Sequence, residues 1–245
     1  MTGYRLLSVV VPVYNERNTV GEIIRRMRLV ELPIDREIIV VDDGSSDGTD
    51  KILAALADST IRVASHDTNR GKGAAVRTAV SLARGDLVLI QDADLEYDPG
   101  EWPRLLAPVL QGRAQVVYGS RYLAEREATS LLRWAGDRSL SVLAAVLFNT
   151  TLTDIETGYK LLDRKVLDSL NLTSDRFDFE PEITAKLLRR RYRIHEVPVT
   201  YARREGADGR KFTWKDGLVA AATLVRLRFR PGLSGPGGPG GGGAG

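Results

Sequence analysis

The sequence predicts an α/β fold: a mostly parallel, doubly wound sheet with helices on both faces. Two observations predict the class: short apolar runs alternate with helical patterns along most of the chain, and the runs are continuously apolar, as strands covered on both faces require. A third predicts where chemistry would sit. Polar clusters fall at the carboxyl ends of three runs, the place where such sheets bind ligands.

In chain order, strands are expected over residues 6–13, 36–43, 61–65, 86–92 and 114–120, with helical patterns over 18–30, 48–56, 73–83 and 101–110. An amphipathic helix is expected near the carboxyl end, in "FTWKDGLVAAATLVRLRFR", and "WAGDRSLSVLAAVLF" reads as a second apolar helix. Each apolar stretch covers about half of the roughly 20 residues that a bilayer-crossing helix needs, so the segments would lie on a membrane and not cross it. Residues 1–230 are expected to form one folded domain. Residues 231–245, rich in Gly and Pro, read as a disordered tail that cannot bury enough surface to order itself.

The chain has 245 residues, 43% of them hydrophobic, enough for a substantial core. It has no cysteine and two histidines, His66 and His195. Disulfides, thiolate nucleophiles and multi-histidine zinc sites are thereby excluded, and oxygen ligands remain for any metal. A net charge of +3 is too small to mark a nucleic-acid binder. No charged-then-apolar signal segment precedes the first strand pattern, so the reading is a cytoplasmic chain.

The three clusters are "PVYNE" (12–16), "DDGSSDGT" (42–49) and "DADLE" (92–96). The first two would also serve as strand exits and helix caps. The third is harder to explain structurally, because Asp92, Asp94 and Glu96 at alternate positions repel one another unless a cation compensates, and a hard divalent metal is the first candidate. Asp98 stands before a proline and a helix start, where capping is sufficient. "NRGKG" (69–73) lacks the Ser/Thr of a Walker loop and the third glycine of a dinucleotide fingerprint, yet Lys72 among glycines before a helix is placed to hold a diphosphate.

Together, "VVVPVYNE", "VVDDGSSDGT", "NRGKGAA", "QDADLEYDP", "VYGSR", "DIETGYK", "FDFEPEITAKLLRR" and "IHEVPVTYARR" resemble, in this order, the inverting family-2 glycosyltransferases. The likeness is strongest to the dolichol-phosphate mannose synthase branch, the polyprenyl-phosphate glycosyltransferases. It implies the glycosyltransferase-A fold, with residues 1–120 as the nucleotide-sugar-binding half and 121–230 as the acceptor-binding half. It also implies transfer of a hexose, mannose or glucose, from a GDP- or UDP-sugar to a dolichyl-type polyprenyl phosphate, assisted by Mg²⁺ or Mn²⁺, by a protein peripheral on the inner face of the cell membrane.

On that resemblance Asp92, Asp94 and Glu96 are the expected metal ligands. Pro12, Tyr14, Glu16, Asp43, Lys72, Asp92 and Ala93 are expected to bind the nucleotide sugar. Arg121 matches a residue that contacts the acceptor phosphate, with Arg133 and Arg138 as further candidates. Arg204 and Lys211 match a loop closing over both phosphates; "RREGADGRK" is about one residue longer than usual, so the Lys211 match can slip to Arg210. Asp154 and Glu156 are available as a general base or a sugar contact. Two alternatives stay open: a soluble transferase with a hydroxyl acceptor, and a non-catalytic nucleotide-sugar-binding protein.

Overall fold

The structure, a computed structural model, describes residues 3–56, 58, 60–123, 131–202 and 214–231, and the side chains of all of these except 131–137. Seven strands form one sheet: β1 (Leu6–Val13), β2 (Asp35–Asp42), β3 (Ile61–Ser65), β4 (Leu87–Ile90), β5 (Val116–Ser120), β6 (Lys160–Asp163) and β7 (His195–Pro198). Their spatial order is β3-β2-β1-β4-β6-β5-β7. All neighbours pair in parallel except β6, which runs antiparallel to both β4 and β5. The five expected strands are present, with β4 two residues shorter than expected at its carboxyl end. β6 and β7 were not expected: at four residues each they carry too little pattern to be read.

Helices cover both faces because successive strand side chains point to opposite sides. On one side Leu7, Val9 and Val11 of β1 pack with α1 (Val20–Leu29) and α4 (Trp102–Leu110), through Ile23, Met27, Trp102 and Leu105. On the other, Val10, Ile39, Val88 and Ile90 pack with α3 (Lys72–Leu82), α6 (Arg164–Ser169) and α7 (Phe179–Arg189). A third cluster joins α5 (Leu131–Phe148) and α8 (Trp214–Phe229) to α7 through Ala144, Leu140, Ala185, Ala220, Leu224 and Leu227. α2 (Thr49–Leu56) completes the first half. Among the described residues no helix is long and apolar enough to cross a membrane. The expected disordered tail, beyond Pro231, lies outside the described residues.

Asp98 caps as expected: its Oδ1 accepts from the Gly100 amide at 3.0 Å, at the head of a 3₁₀ turn over Pro99–Glu101 that leads into α4. Gly44, just past β2, has φ +72°, and a Cβ there would lie 2.7 Å from the Thr68 carbonyl carbon. The loop after β2 can therefore touch the loop after β3 only with glycine at this position. We expect Gly44→Ala to lower stability by about 1–3 kcal/mol, read by urea denaturation; an unchanged midpoint would show that this contact is not required.

Candidate active site

The loops after β1 and β2 are knitted together. Asn15 takes a left-handed conformation (φ 53°), which asparagine tolerates better than most residues. Its amide donates to Ser45 Oγ at 2.9 Å and its side-chain oxygen accepts from the Ser46 amide at 2.9 Å. Pro12 is half-buried at the end of β1 and Tyr14 is exposed beside it. Glu16 is buried, and its Oε2 accepts from Thr19 Oγ1 at 2.6 Å, inside its own loop. Asp43 is also buried and engaged: it accepts from the amides of Arg70 (2.9 Å) and Gly71 (2.7 Å), and His66 Nδ1 lies 2.7 Å from Oδ1. Asp43 thus fixes the "NRGKG" turn that delivers Lys72 to the head of α3. The motif alone gave no sign of that tie, and His66 was not singled out.

β4 ends at Ile90, so the "DADLE" acids stand in an irregular bend and not on a strand. The alternation that would put their side chains on one face is lost there. Among the described residues no three His, Cys, Asp or Glu side chains group as a metal holder. The three-carboxylate set Asp92, Asp94 and Glu96 is accordingly not assembled in this arrangement. Gln91, completely buried, anchors the bend: its Oε1 accepts from Trp102 Nε1 (2.9 Å) and Tyr159 OH (2.8 Å). Ala93 is buried, Asp94 Oδ1 accepts from the Glu96 amide at 3.2 Å, and Glu96 Oε2 accepts from Tyr201 OH at 2.8 Å.

Asp92 is the end of a buried charge chain. Lys72 Nζ lies 2.7 Å from Asp92 Oδ1 and 2.8 Å from Glu180 Oε1, and Glu180 Oε2 also pairs with the fully buried Lys160. Burial works against charge on Lys72, but Asp92 and Glu180 outweigh it and hold the ammonium above its ordinary value. Burial likewise opposes charge on Glu180, and the two lysines overcome it. A Cβ on Gly158 would collide with Asp92 Oδ2, so this glycine makes room for the acid. Glu180 and Lys160 were missed in the sequence, because residues so far apart along the chain give no local signal that they meet.

Tyr97, Tyr159 and Tyr201 stack beside the acids, with Tyr97 centroids 4.7 Å from Tyr159 and 5.1 Å from Tyr201. Arg121 lies against this cluster, its guanidinium 5.2 Å from the Tyr201 ring. It is held by the buried Asp154 through Nε–Oδ2 and Nη2–Oδ1 contacts of 2.7 Å each, a two-point fork that fixes its plane. Asp154 is in turn placed by Glu196, which accepts from the Thr153 and Asp154 amides. Arg138 stacks on the Tyr122 ring at 4.9 Å, next to Arg121. The side chain of Arg133, and Arg204, Arg210 and Lys211 entirely, lie outside the described residues.

Glu156 accepts no hydrogen bond from the described residues. Burial raises its carboxyl to about 7, with Asp154 and Glu180 adding to the shift while Arg121 and Lys160 oppose it. The structure thus distinguishes the two acids: Asp154 is paired with Arg121, whereas Glu156 accepts no hydrogen bond from the described residues.

Fold and site together define a Rossmann-like α/β protein that gathers acids, a lysine and an arginine beyond its strand ends. The chain belongs to glycosyl transferase family 2, whose pattern matches residues 8–170. It is 31% identical over 213 residues to the undecaprenyl-phosphate 4-deoxy-4-formamido-L-arabinose transferase of Pseudomonas fluorescens (strain Pf0-1), covering 83% of this chain and 59% of that one. The protein of the same name from Salmonella choleraesuis (strain SC-B67) is 32% identical over 209 residues, covering 83% and 62%. The chain thus spans about three fifths of the length of these curated relatives. Among solved structures, glucosyl-3-phosphoglycerate synthase from Mycobacterium tuberculosis with Mn²⁺, UDP and phosphoglyceric acid superposes with a TM-score of 0.71 at 24% identity, covering 94% of this chain and 80% of that one. Its complex with Mn²⁺, UDP-glucose and phosphoglyceric acid gives 0.69 at 24% identity, covering 94% and 81%. The expected family and glycosyltransferase-A fold hold, and these relatives carry the names of polyprenyl-phosphate transferases, the branch the motifs resemble.

The Glu156 environment has a consequence for stability. A carboxyl raised in the folded state penalises folding once the unfolded chain ionises, so stability should fall as pH rises from about 4.5 to about 7. We expect Glu156→Gln to remove up to about 3 kcal/mol of that decline, measured as denaturation midpoints of both chains at pH 5 and 8. Parallel pH profiles would place Glu156 in an ordinary, solvated environment.

Proposed function

We propose that this protein transfers a sugar from a nucleoside-diphosphate sugar to a polyprenyl phosphate with inversion. The observation that carries the reading is the neighbourhood of Arg121: a cation fixed in plane by Asp154 and joined through Tyr201 to the Glu96 end of the acidic bend. A lipid monophosphate is already anionic and needs positioning more than deprotonation. In the reaction an acceptor phosphate oxygen attacks the anomeric carbon, a new carbon–oxygen bond forms there, and the bond to the nucleoside diphosphate breaks with its electron pair leaving on the diphosphate. Arg121 would orient the attacking phosphate and Lys72 would meet the departing one.

The residues present suit a hard divalent ion. Mg²⁺ and Mn²⁺ are commonly held by one or two carboxylates together with substrate phosphates, and Asp92 and Asp94 supply two hard oxygen donors at the cleft. When bound, such an ion neutralises charge on the leaving diphosphate. The similar structures named with Mn²⁺ and UDP-glucose support this cofactor and a uridine donor; GDP-mannose is the other donor to test.

A membrane acceptor is supported by the helices beside Arg138. Arg138, Val142 and Val146 of α5 recur every four residues and so share one face, spanning about 12 Å, and both valines are exposed. On α8, Trp214, Leu218, Val225 and Phe229 are exposed on the side away from buried Ala220, Thr223 and Leu227. Such a second apolar stripe flanked by arginines suits the headgroup region of a bilayer. We expect Phe229→Asp to reduce co-sedimentation with anionic phospholipid vesicles at least about threefold without loss of folding; unchanged sedimentation would remove α8 from the membrane reading.

A second reading, transfer to a hydroxyl, is favoured by Glu156, whose carboxyl accepts no hydrogen bond from the described residues and would serve as base. One experiment separates the two. Protein is incubated with Mn²⁺, UDP-glucose or GDP-mannose, and either a short polyprenyl phosphate or a hydroxyl acceptor such as phosphoglyceric acid, and products are identified by mass spectrometry. We expect a sugar-phosphate-lipid that is lost with EDTA. We further expect Asp94→Ala to lower turnover at least about 100-fold and Arg121→Lys to raise the lipid KM more than the donor KM. Wild-type turnover by Asp94→Ala would refute the donor-site assignment. Product only with the hydroxyl acceptor, abolished in Glu156→Gln, would establish the second reading.

A further inference from the structure

We propose that Lys72 is an internal counter-ion that occupies Asp92 in place of the donor's metal, is tethered there by Glu180, and passes to the donor's diphosphate when metal and nucleotide arrive together. The inference rests on the reading that Asp92 and Asp94 hold that metal.

The four charges form a connected chain. Lys72 Nζ is within 2.8 Å of both Asp92 and Glu180, and Glu180 also pairs with Lys160. Two carboxylates face two lysine side chains, so each acid has a cationic partner before any ligand arrives, although burial pulls Lys160 below its ordinary value. Its outer and inner ends differ. Lys160 and Glu180 are locked in the interior, whereas the Lys72 and Asp92 side chains retain 18% and 21% exposure at the cleft.

Backbone freedom at Lys72 is small. Gly71 and Gly73 on either side press against the backbone of residues 174 and 175, the Ala74 amide donates to the Asp175 carbonyl, and the Gly71 amide is held by Asp43. What can move is the lysine side chain. Glu180 Oε1 holds the Lys72 ammonium at 2.8 Å, so a swing of the side chain toward a ligand would keep Glu180 as its tether.

A divalent ion approaching Asp92 alone would meet an ammonium group on the same carboxylate, and like charges at that range oppose binding. A nucleoside diphosphate supplies the missing negative charge and a new partner for Lys72. Metal and nucleotide should then bind with positive coupling, each raising the affinity for the other. Glu180 keeps Lys72 from leaving the cleft altogether, and Lys160 keeps Glu180 ionised and in place.

The test is Mn²⁺ binding by the full chain, followed by electron paramagnetic resonance with and without UDP or GDP, so that no turnover is involved. We expect wild type to bind Mn²⁺ weakly alone and more than about tenfold tighter with nucleotide. Lys72→Met should bind Mn²⁺ alone about tenfold tighter than wild type and lose most of the nucleotide coupling; Lys72→Arg should stay as weak as wild type. If Lys72→Met does not fold, Lys72→Gln, which keeps hydrogen-bond donors without the charge, carries the same expectation. Lys72→Met or Lys72→Gln binding Mn²⁺ alone no tighter than wild type, while nucleotide still tightens Mn²⁺ on wild type, would overturn the counter-ion and leave the donor site standing. Wild type that takes up no Mn²⁺ even with nucleotide would overturn the donor-site reading and this proposal with it.

Discussion

Glu180 is the interaction on which the site depends. A carboxylate in the interior is tolerable only with its charge met at close range, and Glu180 meets two ammonium groups contributed by different elements. Lys160 opens β6, the one strand running against the others; Lys72 opens α3; Glu180 sits in the first turn of α7; Asp92 follows β4. Each element's position is constrained by the need to satisfy that one acid. Removing any partner would leave a buried charge exposed to a low-dielectric surround, which is why such sets hold geometry well even where their net contribution to stability is small.

The same economy of charge appears at Arg121. Asp154 is almost completely buried, and the guanidinium fork is what makes its ionised form acceptable. The pairing also answers a difficulty that the sequence raises: two carboxylates beside an anionic acceptor would repel it. One of them is neutralised by Arg121. The other, Glu156, is pushed toward protonation by its own burial, so near neutral pH it carries a reduced negative charge. On the proposed reading, a phosphate arriving at Arg121 would therefore meet less negative charge than two fully ionised acids would present.

The first half of the sheet was legible because its strands are long, apolar and separated by amphipathic helices, and because turn residues mark each exit. β6 and β7 were not, since "KLLD" and "HEVP" are too short for any period to show. Single positions could be picked out as well: Asp92 and Lys72 meet in the structure, and Arg121 lies beside Tyr201, which bonds Glu96. Their relations were not. That Arg121 faces Asp154 and that Lys72 bridges Asp92 to Glu180 depends on chain segments brought together only by the sheet. The alternate spacing of Asp92, Asp94 and Glu96 misled in one respect, because it implies a shared face only while the strand continues, and β4 stops at Ile90.

Where the strand stops also bears on what the bend can bind. A continued β4 would present three like charges in a row and would need a resident cation to exist at all. The bend instead gives each acid a different partner: Lys72 for Asp92, the Glu96 amide for Asp94, and the Tyr201 hydroxyl for Glu96. The loop can thus hold its shape before the donor arrives, and the partner at Asp92 is a side chain that keeps some exposure to solvent. A site made this way favours ligands that bring metal and diphosphate together over either one alone, and that selectivity follows from charge balance before any contact with the sugar is considered.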